Sequence, residues 1–277
     1  MFESIIYTAL EEDLGQIGDI TTSCIVGDEK IKFNINTREE MVVSGMRLVS
    51  DFSGLFPQDD IILTPLQPDG ALVTPGTCII EGSGRATKVL SVERVLLNFL
   101  QRASGISSLT KQFVDAVSGT KTTIRSTRKT CPGLRQFDLY AVKVGGGSSF
   151  RMGLFDGIMI KDNHIASCSG ISECVKRVRD KFGPTAIISV ECDTTDQVIE
   201  SVENMVDTVL LDNMSIYDIK RSVSIVSSLA KIEVSGGVTL HNVRDIAACC
   251  VDYISIGCIT NSVMCKDIGL DVTERYS

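Results

Sequence analysis

The carboxy-terminal half of the chain carries six short runs of aliphatic and β-branched residues: TTIRS (122–126), GIMIK (157–161), AIISVE (186–191), TVLLD (208–212), KIEVS (231–235) and YISIG (253–257). Each is followed by a stretch with helical spacing. Runs without polar alternation belong to strands buried on both faces, and strands that alternate with helices pair in parallel. The pattern predicts a closed or nearly closed β/α barrel, with an open doubly wound sheet as its competitor. A barrel puts its functional groups at the carboxy ends of the strands. Those ends read Arg128-Lys129, Lys161-Asp162-Asn163, Glu191, Asp212-Asn213, Ser235-Gly236-Gly237 and Gly257, every one polar, charged or glycine.

The first hundred or so residues follow another pattern. Apolar residues from Phe2 to Leu14 recur at the spacing of an amphipathic helix. After the turn residues of GDITT, alternation in KIKFNINT and MVVSG predicts antiparallel strands. Helical spacing returns over 87–101, and a second helix is expected over 106–117. The expected fold is therefore α/β: a smaller α+β sandwich domain over 1–113, then a β/α barrel over 114–263, with a tail, 264–277, packing back on the first domain.

With 277 residues, 43% hydrophobic and 22% charged, the chain is long enough for a substantial core and has ordinary globular composition. A net charge of -8 argues against a general nucleic-acid binder, which needs a broad basic surface. The amino terminus, MFESIIYTALEEDLG, has acids where a signal peptide would have bases, and no apolar run is long enough to span a membrane. The expectation is a cytoplasmic protein without membrane or nucleic-acid partners. The ten cysteines form no C-x-x-C pair and sit mostly in apolar runs, as small buried hydrophobes in a reducing compartment do. Two histidines, His164 and His241, are too few for a histidine-rich zinc site.

Against the acidic background, TRKTCPGLRQFDLYAVKVGGGSSFR collects Arg128, Lys129, Arg135, Lys143 and Arg151. Pro132 to Val144 is expected to be one helix begun by the proline and ended by Gly145 to Gly147, on which Arg135 and Lys143 are either solvated helix charges or groups that face the site. Arg128 and Lys129, before that helix at a strand terminus, are placed to attract an anion. Ser235-Gly236-Gly237 and Gly257 follow the last two strands, where backbone N–H groups of barrels hold phosphate. Glu191 and Asp212 are candidate magnesium ligands, or else salt-bridge the nearby cations without metal. Such parts suit a substrate with several negative charges. A different chemistry, Lys161 as a Schiff-base lysine, is also open to a lysine on a barrel strand.

TRKTCPGLRQFDLYAVKVGGG, RMGLFDGIMIKDNHI, VLLDN and SGGV closely resemble the quinolinate phosphoribosyltransferase family. EEDLGQIGDITT, VERVLLNFLQRASGI and YISIG extend the resemblance over nearly the whole chain. It implies transfer of a phosphoribosyl group from phosphoribosyl pyrophosphate to quinolinate, with decarboxylation, giving nicotinate mononucleotide for NAD biosynthesis, with magnesium as cofactor. By the same resemblance, Arg128, Arg151 and Lys161 face quinolinate, and Lys129 the nearby substrate anions. Glu191 and Asp212 lie near magnesium and the ribose, and Ser235, Gly236 and Gly257 form phosphate-binding loops. It also implies a homodimer in which Arg102 enters the partner's site. The family usually reads GGGxNHRxGL where this chain reads GGGSSFRMGL, so Phe150 replaces a histidine. A phenyl ring donates no hydrogen bond. Weaker quinolinate binding is expected, compensated by Ser148, Ser149 or the remaining cations. The rival readings are a phosphoribosyltransferase for another acceptor, as in a related branch associated with molybdenum transport, and a non-catalytic binding homologue.

Overall fold

The structure, a computed structural model, describes residues 1–57 and 60–276. The chain divides into two compact units: Met1–Lys111 with Thr130–Gly145 and Thr260–Ser277, and Gln112–Lys129 with Gly146–Ile259. The elements up to the first long helix are α1 (Glu3–Leu14), α2 (Ile20–Ile25), β1 (Lys30–Thr37), β2 (Met41–Val42), α3 (Met46–Ser53), β3 (Ile61–Pro65), β4 (Leu72–Val73), β5 (Cys78–Arg85) and α4 (Ala86–Ala116). Next come β6 (Thr123–Ser126), α5 (Arg135–Val144), β7 (Ser148–Ser149), β8 (Ile158–Ile160), α6 (Asp162–Ser167), α7 (Ile171–Phe182), β9 (Ile188–Cys192) and α8 (Thr195–Glu203). The last are β10 (Thr208–Asp212), α9 (Ile216–Val226), β11 (Lys231–Ser235), α10 (Val243–Ala247), β12 (Tyr253–Ile256), α11 (Cys258–Asn261) and β13 (Ile268–Tyr276).

In the first unit a four-stranded sheet runs in the order β13-β1-β5-β3. KIKFNINT alternates as read, burying Ile31, Phe33 and Ile35. The terminal strand β13 pairs antiparallel with β1 from Thr37↔Ile268 to Lys30↔Tyr276. GDITT is more than a turn: Asp19 accepts the Thr22 N–H at 2.9 Å and caps α2.

Two helical expectations fail. The segments 87–101 and 106–117 are one helix, α4. A glycine between two apolar patterns reads as a break, but a Cβ at Gly105 would stand 2.4 Å from the Met264 carbonyl oxygen. Gly105 permits a close backbone approach within an unbroken helix. Pro132 does not start α5 either. It is the second residue of a turn closed by Leu134 N–H donating to Cys131 O at 3.0 Å, and the helix starts at Arg135.

In the second unit seven strands are ordered β7-β6-β12-β11-β10-β9-β8. The order is cyclic: sequential strands lie side by side, and the last, β12, pairs in parallel with the first, β6. A doubly wound sheet would instead reverse direction at a switch point. The sheet is nonetheless a half-barrel and not a closed one, because β7 and β8 are its edges. Ile124, Val190, Val209, Leu211, Val234 and Ile254 supply its buried apolar positions, each contributing about 1.5–3 kcal/mol. α8 begins with a reciprocal cap in which Thr194 and Gln197 satisfy each other's N–H groups, and Ser215 caps α9. All ten cysteines are free thiols. Burial pushes the Cys192 thiol up to about 11, as for an inert core group.

Candidate active site

The strand pairing that builds the core also aligns the polar side chains. Glu191 on β9, Leu210 on β10 and Glu233 on β11 occupy one row of paired residues. Lys161 extends β8 one residue past the Ile160↔Val190 pair and so stands opposite Glu191. Its Nζ ion-pairs with Glu191 Oε2. His164, three residues on, accepts the Lys161 backbone N–H on Nδ1 at 2.9 Å and fixes the start of α6. The KDNH segment thus holds its lysine by a backbone contact.

These groups open on a cavity of about 390 Å³. Its cations are Arg128, Lys129, Arg151 and Lys161, and its carboxylates Glu191, Asp212 and Glu233. Phe150, Met159 and Leu210 form its apolar wall, and Ser126, Thr127, Ser235 and Ser255 add hydroxyl groups. Arg151 Nη1 donates to Gly157 O at 2.9 Å. Burial, then the adjacent Arg128 cation, lowers the Arg151 pKa, while Asp156 and Glu191 oppose the shift. Two guanidinium groups held together at a cavity mouth are a field for a multiply charged anion.

Seven of the residues singled out in the sequence therefore meet at one cavity: Arg128, Lys129, Arg151, Lys161, Glu191, Asp212 and Ser235. Gly236 and Gly257 do not border it. Gly236 is needed for the loop beside it, since it sits at φ 86° and a Cβ there would lie 2.3 Å from Asn213 Oδ1. That close approach lets Asn213 N–H reach Ser235 O at 2.9 Å, while Asn213 Nδ2 donates to Asp212 Oδ2 at 2.7 Å. Arg102 belongs to the first unit, where its Nε and Nη2 grip the fully buried Asp138 carboxylate at 2.8 and 2.7 Å. Burial works against that cation, but Asp138 outweighs it and holds the Arg102 pKa above the usual value. Arg135 and Lys143 do not border the cavity. Arg135 Nε donates to Thr130 Oγ1 at 3.1 Å.

Neither Ser148 nor Ser149, the serines expected to compensate for Phe150, borders the cavity. Ser148 donates to Ile124 O at 3.2 Å. What the sequence reading missed lies beneath Phe150. Arg125 on β6 donates to Glu233 Oε2 at 2.7 Å, and Ser255 donates to Glu233 Oε1. A charge in the middle of TTIRS and another in the middle of KIEVS were the available signals.

Among the described residues no three His, Cys, Asp or Glu side chains gather as a metal cage. Magnesium is suited to one or two carboxylates plus substrate phosphate oxygens. With Glu191 engaged by Lys161, Asp212 is the carboxylate best placed to meet such an ion, so the donor set fits one that arrives with phosphates.

Models of the N-terminal and C-terminal domains of quinolinate phosphoribosyl transferase match residues 19–104 and 106–271. The chain belongs to the quinolinate phosphoribosyltransferase family. A relative from Bacillus subtilis, described as a probable carboxylating nicotinate-nucleotide pyrophosphorylase, is 38% identical over 95% of this chain and 90% of its own length. The chloroplastic carboxylating enzyme of Arabidopsis thaliana is 36% identical over 99% and 84%. Among solved family members, the nicotinate-nucleotide pyrophosphorylase of Ehrlichia chaffeensis superimposes with a TM-score of 0.96 at 50% identity, covering 99% of both chains.

Proposed function

We propose that this chain transfers the phosphoribosyl group of phosphoribosyl pyrophosphate to the ring nitrogen of quinolinate. Pyrophosphate and carbon dioxide leave, and nicotinate mononucleotide is formed for NAD biosynthesis. The observation that carries the reading is the convergence of Arg128, Lys129, Arg151 and Lys161 on one cavity that also presents Glu191, Asp212 and Ser235. Full-length relatives of the family named for this activity support it.

Arg128 and Arg151 suit the two carboxylates because a planar guanidinium donates paired hydrogen bonds, each charge-assisted bond contributing about 1.5–3 kcal/mol. Binding the dianion also offsets the burial and the Arg128 repulsion that lower the Arg151 pKa. Lys161, shared between Glu191 and the substrate, and Lys129 add charge without covalent chemistry, so catalysis rests on orientation and electrostatics. Ser235 with the Gly236 and Gly257 loops receives the 5′-phosphate. As pyrophosphate leaves, the ribose carbon gains positive charge, which Glu191 and Asp212 stabilise. The alkylated ring nitrogen is then cationic and stabilises the electron pair left on the adjacent ring carbon when its carboxylate departs as carbon dioxide, and that carbon takes up a proton from solvent to complete the product. Magnesium, held by Asp212 with Glu191 nearby, would neutralise charge on the departing pyrophosphate.

The same reading makes the chain a cytoplasmic homodimer whose Arg102 serves the partner's site. Its substrates are phosphorylated and anionic metabolites of the cell interior, and the Arg102 side chain is 20% exposed while tied to Asp138. Mixing Arg102→Lys chains, which leave the buried Asp138 a partner charge, with Lys161→Ala chains is expected to recover activity in mixed dimers. Subunit exchange without recovery would place Arg102 in its own subunit's service. For the reaction itself, the protein is incubated with quinolinate, phosphoribosyl pyrophosphate and magnesium, and nicotinate mononucleotide is followed by chromatography. Product is expected from quinolinate, and neither from nicotinate nor without metal. Binding of both substrates without product would overturn the assignment.

A further inference from the structure

Arg125 is an expensive residue to place where it stands. It occupies the middle of a strand in the half-barrel, with a side chain only 14% exposed, and its Nε is buried without a hydrogen-bond partner. Three contacts surround it. Its Nη1 is 2.7 Å from Glu233 Oε2, a carboxylate 2% exposed whose other oxygen accepts from Ser255. Its guanidinium carbon lies 3.1 Å from the centre of the Tyr253 ring on β12. It also lies 5.8 Å from the centre of the Phe150 ring. The row pairing explains the convergence: Glu233 is opposite Tyr253, and Arg125 is opposite Ser255.

Phe150 borders the cavity beside Arg151, whereas Arg125 does not. The ring is confined on a further side, where a Cβ on Gly157 would come within 3.3 Å of its edge. Both oxygens of Glu233 are engaged, so this carboxylate is spent on holding Arg125. A buried cation whose contacts end at a cavity-lining ring has its effect on that ring, through the attraction between a cation and an aromatic face.

We propose that Arg125 is a positioning residue for the acceptor half of the site. Locked to Glu233 and stacked on Tyr253, it sets the Phe150 ring as the flat wall against which the planar pyridine diacid is presented to Arg128 and Arg151. The proposal rests on the quinolinate reading above. It also gives Phe150 a positive role: a neutral ring tolerates the guanidinium beneath it, where an imidazolium would add a further cation beside Arg125 and Arg151.

The test is a double-mutant cycle. Arg125→Met alone leaves Glu233 buried and unpaired and is expected to unfold, so it is combined with Glu233→Gln, which removes both charges and keeps the acceptor for Ser255. This pair is expected to raise the KM for quinolinate about three- to tenfold, with kcat and the KM for phosphoribosyl pyrophosphate about unchanged. Arg125→Lys, which keeps the charge but loses the planar stack, is expected to fall between. In a Phe150→Ala background the pair is expected to change the quinolinate KM no further, because no ring remains to be placed. An equal rise in both backgrounds, or a fall in thermal stability with no KM split between the two substrates, would overturn the proposal. Quinolinate affinity is read by calorimetry on the same chains. If the parent binds quinolinate but forms no product, the function fails while the affinity ratios still decide the proposal. A parent that neither binds nor turns over quinolinate overturns both.

Discussion

The two units use charge in opposite ways. In the first, the antiparallel pairing of β1 and β13 sends charged side chains to a solvated face, where Lys32 meets Glu274 at 2.7 Å with side chains 56% and 54% exposed. Arg38 meets Asp271 in the same setting. In the second, parallel strands buried on both faces have no solvated face to offer. Their charges pair inside, as Arg125 and Glu233 do, gather at the carboxy ends around the cavity, or stand at the amino ends, where Lys231 meets Asp252. Pairs of equal length therefore differ in consequence: a screened surface pair contributes about 0–1 kcal/mol, whereas removing one partner of a buried pair costs about 3–5 kcal/mol.

The largest expected effect tests whether burial, and not membership of a unit, makes this difference. Arg102 and Asp138 lie in the first unit but are 20% and 0% exposed. Asp138→Ala strips Arg102 and the Cys131 N–H of their acceptor, and is expected to cost about 3–5 kcal/mol in denaturant unfolding. Glu274→Ala, its solvated counterpart, is expected to stay within about 1 kcal/mol of the parent. Similar losses for the two would erase the distinction.

A smaller effect separates cations held for the fold from those held for a ligand. Arg128 and Arg151 repel, so Arg151→Ala is expected to leave the melting temperature unchanged or raised. The same change is expected to lower kcat/KM with quinolinate about tenfold to hundredfold, the loss of charge-assisted hydrogen bonds. Activity and stability would then move in opposite directions in the second unit. A parallel loss of both would make Arg151 part of the scaffold.

The barrel strands were legible because long β-branched runs have few other places to go. β7 was not, since it is only Ser148 and Ser149 and carries no apolar signature. The cations at the strand ends could be read by position, and seven candidate residues do meet. Partnership could not be read, because Arg125 finds Glu233 across 108 residues and Arg102 finds Asp138 across 36, through strand order and helix packing that no local pattern encodes. The break expected between 101 and 106 failed for the same reason, since the carbonyl that requires a glycine at Gly105 belongs to Met264.

The smallest expected effect sharpens the comparison through acid. Burial raises the Asp252 pKa in the second unit, but hydrogen bonds from the Ile232 N–H, Lys231 and Lys121 outweigh it and hold it below the usual carboxylate value. Glu39 in the first unit is also held low, chiefly by the hydrogen bond from Lys266. A carboxylate with a depressed folded pKa contributes stability that is fully present above its unfolded value, about 4, and is lost as pH falls through the folded one. Asp252→Asn and Glu39→Gln should therefore each flatten the decline in stability below about pH 4. Salt separates them. Each accepts a backbone N–H, Glu39 from Asp267 at 2.9 Å and Asp252 from Ile232 at 3.0 Å, but the Glu39 side chain is 43% exposed and its contribution should shrink between low and high ionic strength, whereas the Asp252 side chain is 13% exposed and should keep its contribution. Equal salt sensitivity in the two acid titrations would mean that water reaches the base of the half-barrel as freely as it reaches the sheet, and that burial does not divide the units as argued.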